Sequence, residues 1–130
     1  MMDNKMIVEG SLENYVENGV VKGFQFLGRL PYYRGLGLSM VEDVAVEIDG
    51  KAVSRSDVRV KLHGNTYTLD EMETVYDDRW NFGEKALVIA LMDGGLSEGI
   101  HQLGYAVRMR ISYLPMVPTT KDSKEMALAA

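Results

Sequence analysis

The 130-residue chain contains no cysteine. Disulfides, thiolate nucleophiles, cysteine-bound zinc and iron–sulfur clusters are therefore excluded. Histidine is nearly as scarce. His63 and His101 are the two side chains whose ordinary charge change falls near neutral pH. Positive charge is in the minority, with 14 Lys plus Arg against 19 Asp plus Glu and a formal net charge of -5. Without a concentrated basic footprint, nucleic acid is not an expected partner. No apolar run approaches the roughly 18 residues that span a bilayer, so no membrane partner is expected either. No apolar stretch follows a basic segment near Met1, so no secretory signal is read, and a cytoplasmic location is expected. The inventory is thin for an enzyme and suits a chain that binds or supports something.

What is present is ordinary globular material, 46% hydrophobic and 25% charged, of a size that suits one domain. The dominant signal is alternation with a period of two. Val44, Val46 and Ile48 alternate with Asp43, Ala45 and Glu47, and Asp49-Gly50 follows as a tight-turn pair. Val58, Val60 and Leu62 alternate with Arg59, Lys61 and His63, with a turn expected at Gly64-Asn65. Extended structure resumes over 66–69, and 86–92 is an unbroken apolar run of strand length. Residues 20–30 place Phe24 and Phe26 on one side, with Gly23 as a bulge position. The longest strand is expected over 102–113. Leu103, Tyr105, Val107, Met109, Ile111 and Tyr113 share one face there, opposite Arg108, Arg110 and Ser112. Residues 98–101 lead into it as a final edge-to-core strand. One helical turn is expected near 70–76, with Asp70 as N-cap and Glu73 completing a capping box. The fold class is all-β, an antiparallel β-sandwich of jelly-roll or immunoglobulin-like type over residues 1–118. Residues 119–130 follow Pro115 and Pro118 and are expected as a tail, flexible or ordered only by a partner.

Two irregular segments carry unusual side chains. In Pro31-Tyr32-Tyr33-Arg34-Gly35-Leu36-Gly37-Leu38-Ser39-Met40, two aromatics, an arginine and two glycines fit a loop folded over the sandwich end. They fit a docking surface equally well. Gly35-Leu36-Gly37 lacks the third glycine and the helix of a nucleotide fingerprint. In Asp77-Asp78-Arg79-Trp80, the tryptophan either plugs the sandwich or acts with Arg79 as an interface anchor. Calcium is not implied, because the further ligands of an EF-hand are missing. Arg108 and Arg110 face solvent in an isolated sandwich. Under a second chain, they suit paired contacts with carboxylates. Among the nine methionines, Met40, Met92, Met109 and Met116 suit adaptable core or interface gaps. His63 and His101 lie in no metal-binding spacing, and no serine sits in a nucleophile-elbow context.

Taken in order, several stretches resemble one family: Tyr32-Tyr33-Arg34-Gly35-Leu36, Leu38-Ser39-Met40-Val41-Glu42-Asp43, Val46-Glu47-Ile48-Asp49-Gly50, Thr66-Tyr67-Thr68-Leu69-Asp70-Glu71, Asp78-Arg79-Trp80-Asn81-Phe82-Gly83-Glu84 and Arg108-Met109-Arg110-Ile111-Ser112-Tyr113. The chain is similar to the small, or beta, subunit of bacterial C-glycoside deglycosidases over residues 20–118. That resemblance implies a β-sandwich that supports a large TIM-barrel subunit in a hetero-oligomer with more than one copy of each chain. The large subunit would hold a divalent metal, manganese in many members, and would cleave the carbon–carbon bond between sugar and aromatic aglycone in 3-oxo-C-glycosides. No cofactor and no catalytic residue is implied for this chain. Tyr32, Tyr33, Arg34, Gly35, Met40, Asp77, Arg79, Trp80, Arg108 and Arg110 become the candidate partner or substrate interface. A stand-alone carbohydrate-binding sandwich, stacking sugars on Tyr32, Tyr33 and Trp80, is the alternative. A third is an independent enzyme using His63 or His101 with Asp77 or Asp78.

Overall fold

In the computed structural model, the residues described are 6–8, 10–29, 36–72, 74–75, 79–80, 84–92, 94–97, 99–109 and 119–128. The chain runs through β1 (Glu13–Glu17), β2 (Val20–Arg29), β3 (Leu36–Gly37), β4 (Val41–Ile48), β5 (Lys51–Ala52), β6 (Val58–Leu62) and β7 (Asn65–Thr68). The helical turn α1 (Leu69–Met72) follows, then β8 (Arg79–Trp80), β9 (Lys85–Leu91), β10 (Gly99–Met109) and β11 (Thr119–Leu128). The order β1-β2-β9-β6-β7 makes a five-stranded sheet, and β11-β10-β4-β5 makes a four-stranded one. Every pairing is antiparallel. The expected all-β sandwich is what the chain forms.

Three two-residue turns set the hairpins. Asn18-Gly19 joins β1 to β2, Asp49-Gly50 joins β4 to β5, and His63-Gly64 joins β6 to β7. In each pair both residues have positive φ, between 50° and 83°, the requirement of the turn whose twist matches paired strands. The third turn is therefore displaced by one residue from the expected Gly64-Asn65. Asn65 opens β7, and His63 takes the left-handed position that histidine tolerates better than most residues.

The inward faces meet in one core. Phe24, Phe26, Val60, Val88 and Ala90 come from the five-stranded sheet, and Val44, Val46, Leu103, Tyr105 and Val107 from the four-stranded one. The Tyr105 ring packs edge-on against Phe26 with centroids 5.4 Å apart, and its hydroxyl donates to the Arg29 carbonyl at 3.3 Å. Gly28 makes room for that ring, since a Cβ there would lie 2.9 Å from Tyr105 Cζ. The β1–β2 register shifts beside Gly23, where a Cβ would come within 2.0 Å of the Ala90 carbonyl oxygen. Gly23 thus combines the expected bulge with close backbone approach.

Three expectations are corrected. Residues 119–128, expected as a tail, form β11, paired with β10 from Arg108↔Thr119 to Gly99↔Leu128. Met126 and Leu128 are buried, so this segment belongs to the sandwich. Consequently β10 is an interior strand between β11 and β4, not a final edge strand; its described part ends at Met109, and Arg110 lies outside the described residues. The helical turn begins at Leu69, one residue early, and its capping box is Thr68 with Glu71; the expected partner Glu73 lies outside the described residues. Glu71 N donates to Thr68 Oγ1 at 3.1 Å, and Thr68 N donates to Glu71 Oε1 at 2.8 Å. A threonine hydroxyl can accept the first free amide while Glu71 reaches back, so Asp70 is left as an exposed first-turn acid.

The two sheets are also joined along one seam. The segment 6–8 continues the edge of the five-stranded sheet, with Val8 N donating to the Leu27 carbonyl at 3.0 Å and Arg29 N to the Met6 carbonyl at 2.7 Å. Ile7 N points away from β2 and donates to Asp122 Oδ2 of β11 at 3.0 Å. Asp122 Oδ1 accepts from Ser123 N at 2.8 Å, so this buried carboxylate is satisfied twice.

Candidate functional site

The two irregular segments singled out in the sequence are brought together. β3 pairs with β8, Leu36 opposite Trp80 and Gly37 opposite Arg79, forming a two-stranded ribbon outside the main sheets. Ser39 N donates to the Val75 carbonyl at 3.1 Å, which ties the turn before β4 to the residues after α1. Tyr32, Tyr33, Arg34, Gly35, Asp77 and Arg110 lie outside the described residues. Met40 is exposed at the mouth of β4, and Arg79 is exposed on β8.

Trp80 takes the first of its two expected roles. Its side chain is 0% exposed within the main core, and Nε1 donates to the Glu84 carbonyl at 2.9 Å. It plugs the sandwich and offers no surface for stacking or anchoring. Arg79, one residue earlier, has the opposite orientation because neighbours in a strand point to opposite faces.

Arg108 lies on the outward face of β10, directly across from Asp43 of β4. Asp43 Oδ1 also receives Arg55 Nη1 at 2.5 Å, and Arg55 Nε lies 3.5 Å from an Asp70 carboxylate oxygen. A band of alternating charge therefore runs from β10 over β4 to the first turn of α1. Its members are at least one-third exposed and well solvated, which suits contact with a charged surface more than strong stabilisation of the fold. Arg55 escaped sequence reasoning because it sits in a short turn 12 residues from Asp43, with no periodic signal.

Each histidine is committed to a different carboxylate. His63 Nε2 lies 2.5 Å from Glu84 Oε2. His101, 8% exposed, places Nδ1 2.6 Å from Asp49 Oδ2 and Nε2 2.7 Å from the Ser97 carbonyl. Both partners of His101 are acceptors, so the protonated ring fits best. The Asp49 carboxylate foremost, with the Ser97 carbonyl, raises the His101 pKa above its ordinary value. The reciprocal hydrogen bond from His101, with the Gln102 amide, lowers that of Asp49. Burial lifts the Tyr105 hydroxyl well above the usual phenol range, which suits a structural hydrogen bond. Among the described residues no cluster of three or more histidine or acidic groups could hold a metal. The pairing of His63 or His101 with Asp77 or Asp78 was an expectation of the independent-enzyme reading. The described partners are Glu84 and Asp49, and Asp77 and Asp78 lie outside the described residues.

A trough of about 440 Å³ crosses the outward face of the four-stranded sheet. Ala45, Gly104 and Ala106 form its floor, with Glu47 and Lys121 on opposite rims. No helix among the described residues is long and apolar enough to cross a membrane.

Comparison with known proteins assigns these features to a context. A sequence model of the family described as C-glycoside deglycosidase beta subunit matches residues 2–113. A C-glycoside deglycosidase beta subunit from Eubacterium cellulosolvens is 34% identical over 100 residues, 77% of this chain and 68% of the relative. A 3'-dehydrocarminate deglycosidase beta subunit from a Microbacterium species is 35% identical over 94 residues, 72% of this chain and 70% of the relative. A C-glycoside deglycosidase beta subunit from Microbacterium trichothecenolyticum aligns over 100% of this chain and 99% of its own length, at 25% identity.

Proposed function

The chain belongs to the C-glycoside deglycosidase beta subunit family, and from that premise we propose that it is the supporting subunit of a carbon–carbon lyase. Its partner is a larger TIM-barrel subunit that carries the divalent metal, manganese by family resemblance, together with the catalytic base. The substrate class is 3-oxo-C-glycosides with an aromatic aglycone, and the assembly is cytoplasmic. A relative named for a 3'-dehydro glycoside supports the oxidised sugar. In this reading the ketone acidifies the neighbouring sugar C–H, a base on the large subunit forms the enolate, and the aglycone leaves by elimination. The described residues of this chain do not form a ligand set that fits the metal, and no step is assigned to them.

The observation that carries the reading is the family match over 2–113, which includes the ribbon and every candidate interface residue. The β3–β8 ribbon, Met40, Arg79 and Arg108 form the end that docks on the large subunit; Tyr32, Tyr33, Arg34, Gly35, Asp77 and Arg110 are proposed for the same interface from the sequence. The carbohydrate-binding alternative is weakened by the burial of Trp80, which removes one of its three stacking platforms.

Co-expression with the larger subunit tests this directly. Native mass spectrometry is expected to show a stable complex that turns over a 3-oxo-C-glycoside, while this chain alone does not. Arg34→Ala combined with Arg108→Glu is expected to weaken the complex about tenfold or more while leaving the fold intact. Turnover by the isolated chain, or large-subunit activity that this chain does not change, would overturn the assignment.

A further inference from the structure

The outward face of the five-stranded sheet is built differently from an ordinary solvated face. The run in β9 sends Ala86, Val88 and Ala90 into the core, which leaves Leu87, Ile89 and Leu91 pointing outward. Ile89 is 4% exposed although it stands outside the core cluster between the sheets. Leu27 of β2 lies beside Leu87 in register and widens the apolar stripe. At one end Leu91 adjoins Met92, and Val20 stands opposite Glu17; both Met92 and Val20 are exposed. Leu27, Leu87 and Leu91 are half-buried in the single chain, so the face presents an aliphatic strip that its own side chains cover only in part.

The rims of the stripe carry opposite charge. On the β1 side stand Glu13 and Glu17, with the Tyr15 hydroxyl donating to Glu17 at 3.2 Å. On the β6 side stand Arg59 and Lys61. One row across the sheet reads Glu13, Gln25, Ile89, Arg59 and Thr68 in direct register. A groove of about 410 Å³ lies along it, walled by Glu13 and Tyr15 on one side and by Lys61 and Thr66 on the other. Acid on one edge and base on the other make the face complementary to itself. A two-fold axis parallel to β9 and passing over Ile89 turns each acidic edge onto the basic edge of the second copy. The half-buried leucines Leu27, Leu87 and Leu91 of the two copies then meet about the axis.

We infer that this face is where a second copy of the chain docks, in an isologous sheet-to-sheet dimer. The inference deepens the assembly reading by naming the surface that joins one small subunit to another, and it rests on none of the proposed chemistry. It assigns the large subunit elsewhere, to the ribbon end.

Charge reversal with rescue tests it on the full chain. Sedimentation velocity and native mass spectrometry are expected to show a dimer of the isolated chain. Lys61→Glu and Glu13→Lys, both at exposed positions, are each expected to weaken the dimer about tenfold or more. The double variant Glu13→Lys/Lys61→Glu restores complementarity and is expected to regain most of the affinity. Circular dichroism melts check that each variant folds. A chain that is monomeric at all concentrations, or a dimer indifferent to both reversals, would overturn the inference. So would variants that keep the dimer and lose only the large subunit, which would place that partner on this face. Loss of large-subunit binding in the wild-type chain with the dimer intact would instead count against the proposed function.

Discussion

His101 holds two acceptors at once, which makes it the residue through which pH reaches this fold. Its folded pKa is raised above the ordinary 6.5, chiefly by Asp49, so its contribution is complete below that value while Asp49 stays ionised. It fades as pH climbs through the raised pKa. At the acid end, the lowered pKa of Asp49 means that the pair persists until pH falls below the usual 3.8. Melting temperature is therefore expected to decline as pH rises from about 6.5 through the raised pKa of His101, and His101→Gln should flatten that decline. A wild-type profile that is flat or rising over this range would refute the assignment. Trp80 is tested at the same scale. Trp80→Ala empties a fully buried site and is expected to cost about 3–5 kcal/mol. Trp80→Phe keeps most of the volume, loses the bond to the Glu84 carbonyl, and is expected to cost about 1–3 kcal/mol. Denaturant melts measure both. If Trp80→Phe folds but no longer binds the large subunit, the indole has an interface role that its burial argues against.

Among the elements, those with a polar outward face and an apolar inward face could be read directly from the residues. β4, β6 and β10 alternate as their residues do, because each has one side in the core and a polar side turned outward. β11 could not be read in this way. Its inward positions include Asp122 and Lys124, opposite Tyr105 and Leu103, so the apolar half of the alternation is reduced to Met126 and Leu128. The Asp122 carboxylate occupies a core-side position because it caps a backbone amide 115 residues away, a pairing that no local pattern reports. The β3–β8 ribbon was equally hidden, since two-residue strands have no period. The site was legible as two composition anomalies, but their meeting depends on tertiary pairing. Deleting residues 119–130 tests β11. The truncation uncovers one edge of β10 and removes buried Met126 and Leu128, for an expected loss of about 3–6 kcal/mol. A truncated chain that melts like the full one would return this segment to the status of a tail.

For the whole molecule, the seam between Ile7 and Asp122 joins the edges of two different sheets. It has a consequence for how the chain is made. A ribosome delivers residue 7 long before residue 122. At roughly 5–20 residues per second, the intervening 115 residues take about 6–23 s to appear. Until then, Met6–Val8 and the β10 edge have no partner from β11, and the nascent sandwich presents open strands to its surroundings. Closure of this protein is therefore an event that follows translation of β11, and the interval before it is when a chaperone or a subunit already in place has access to those edges.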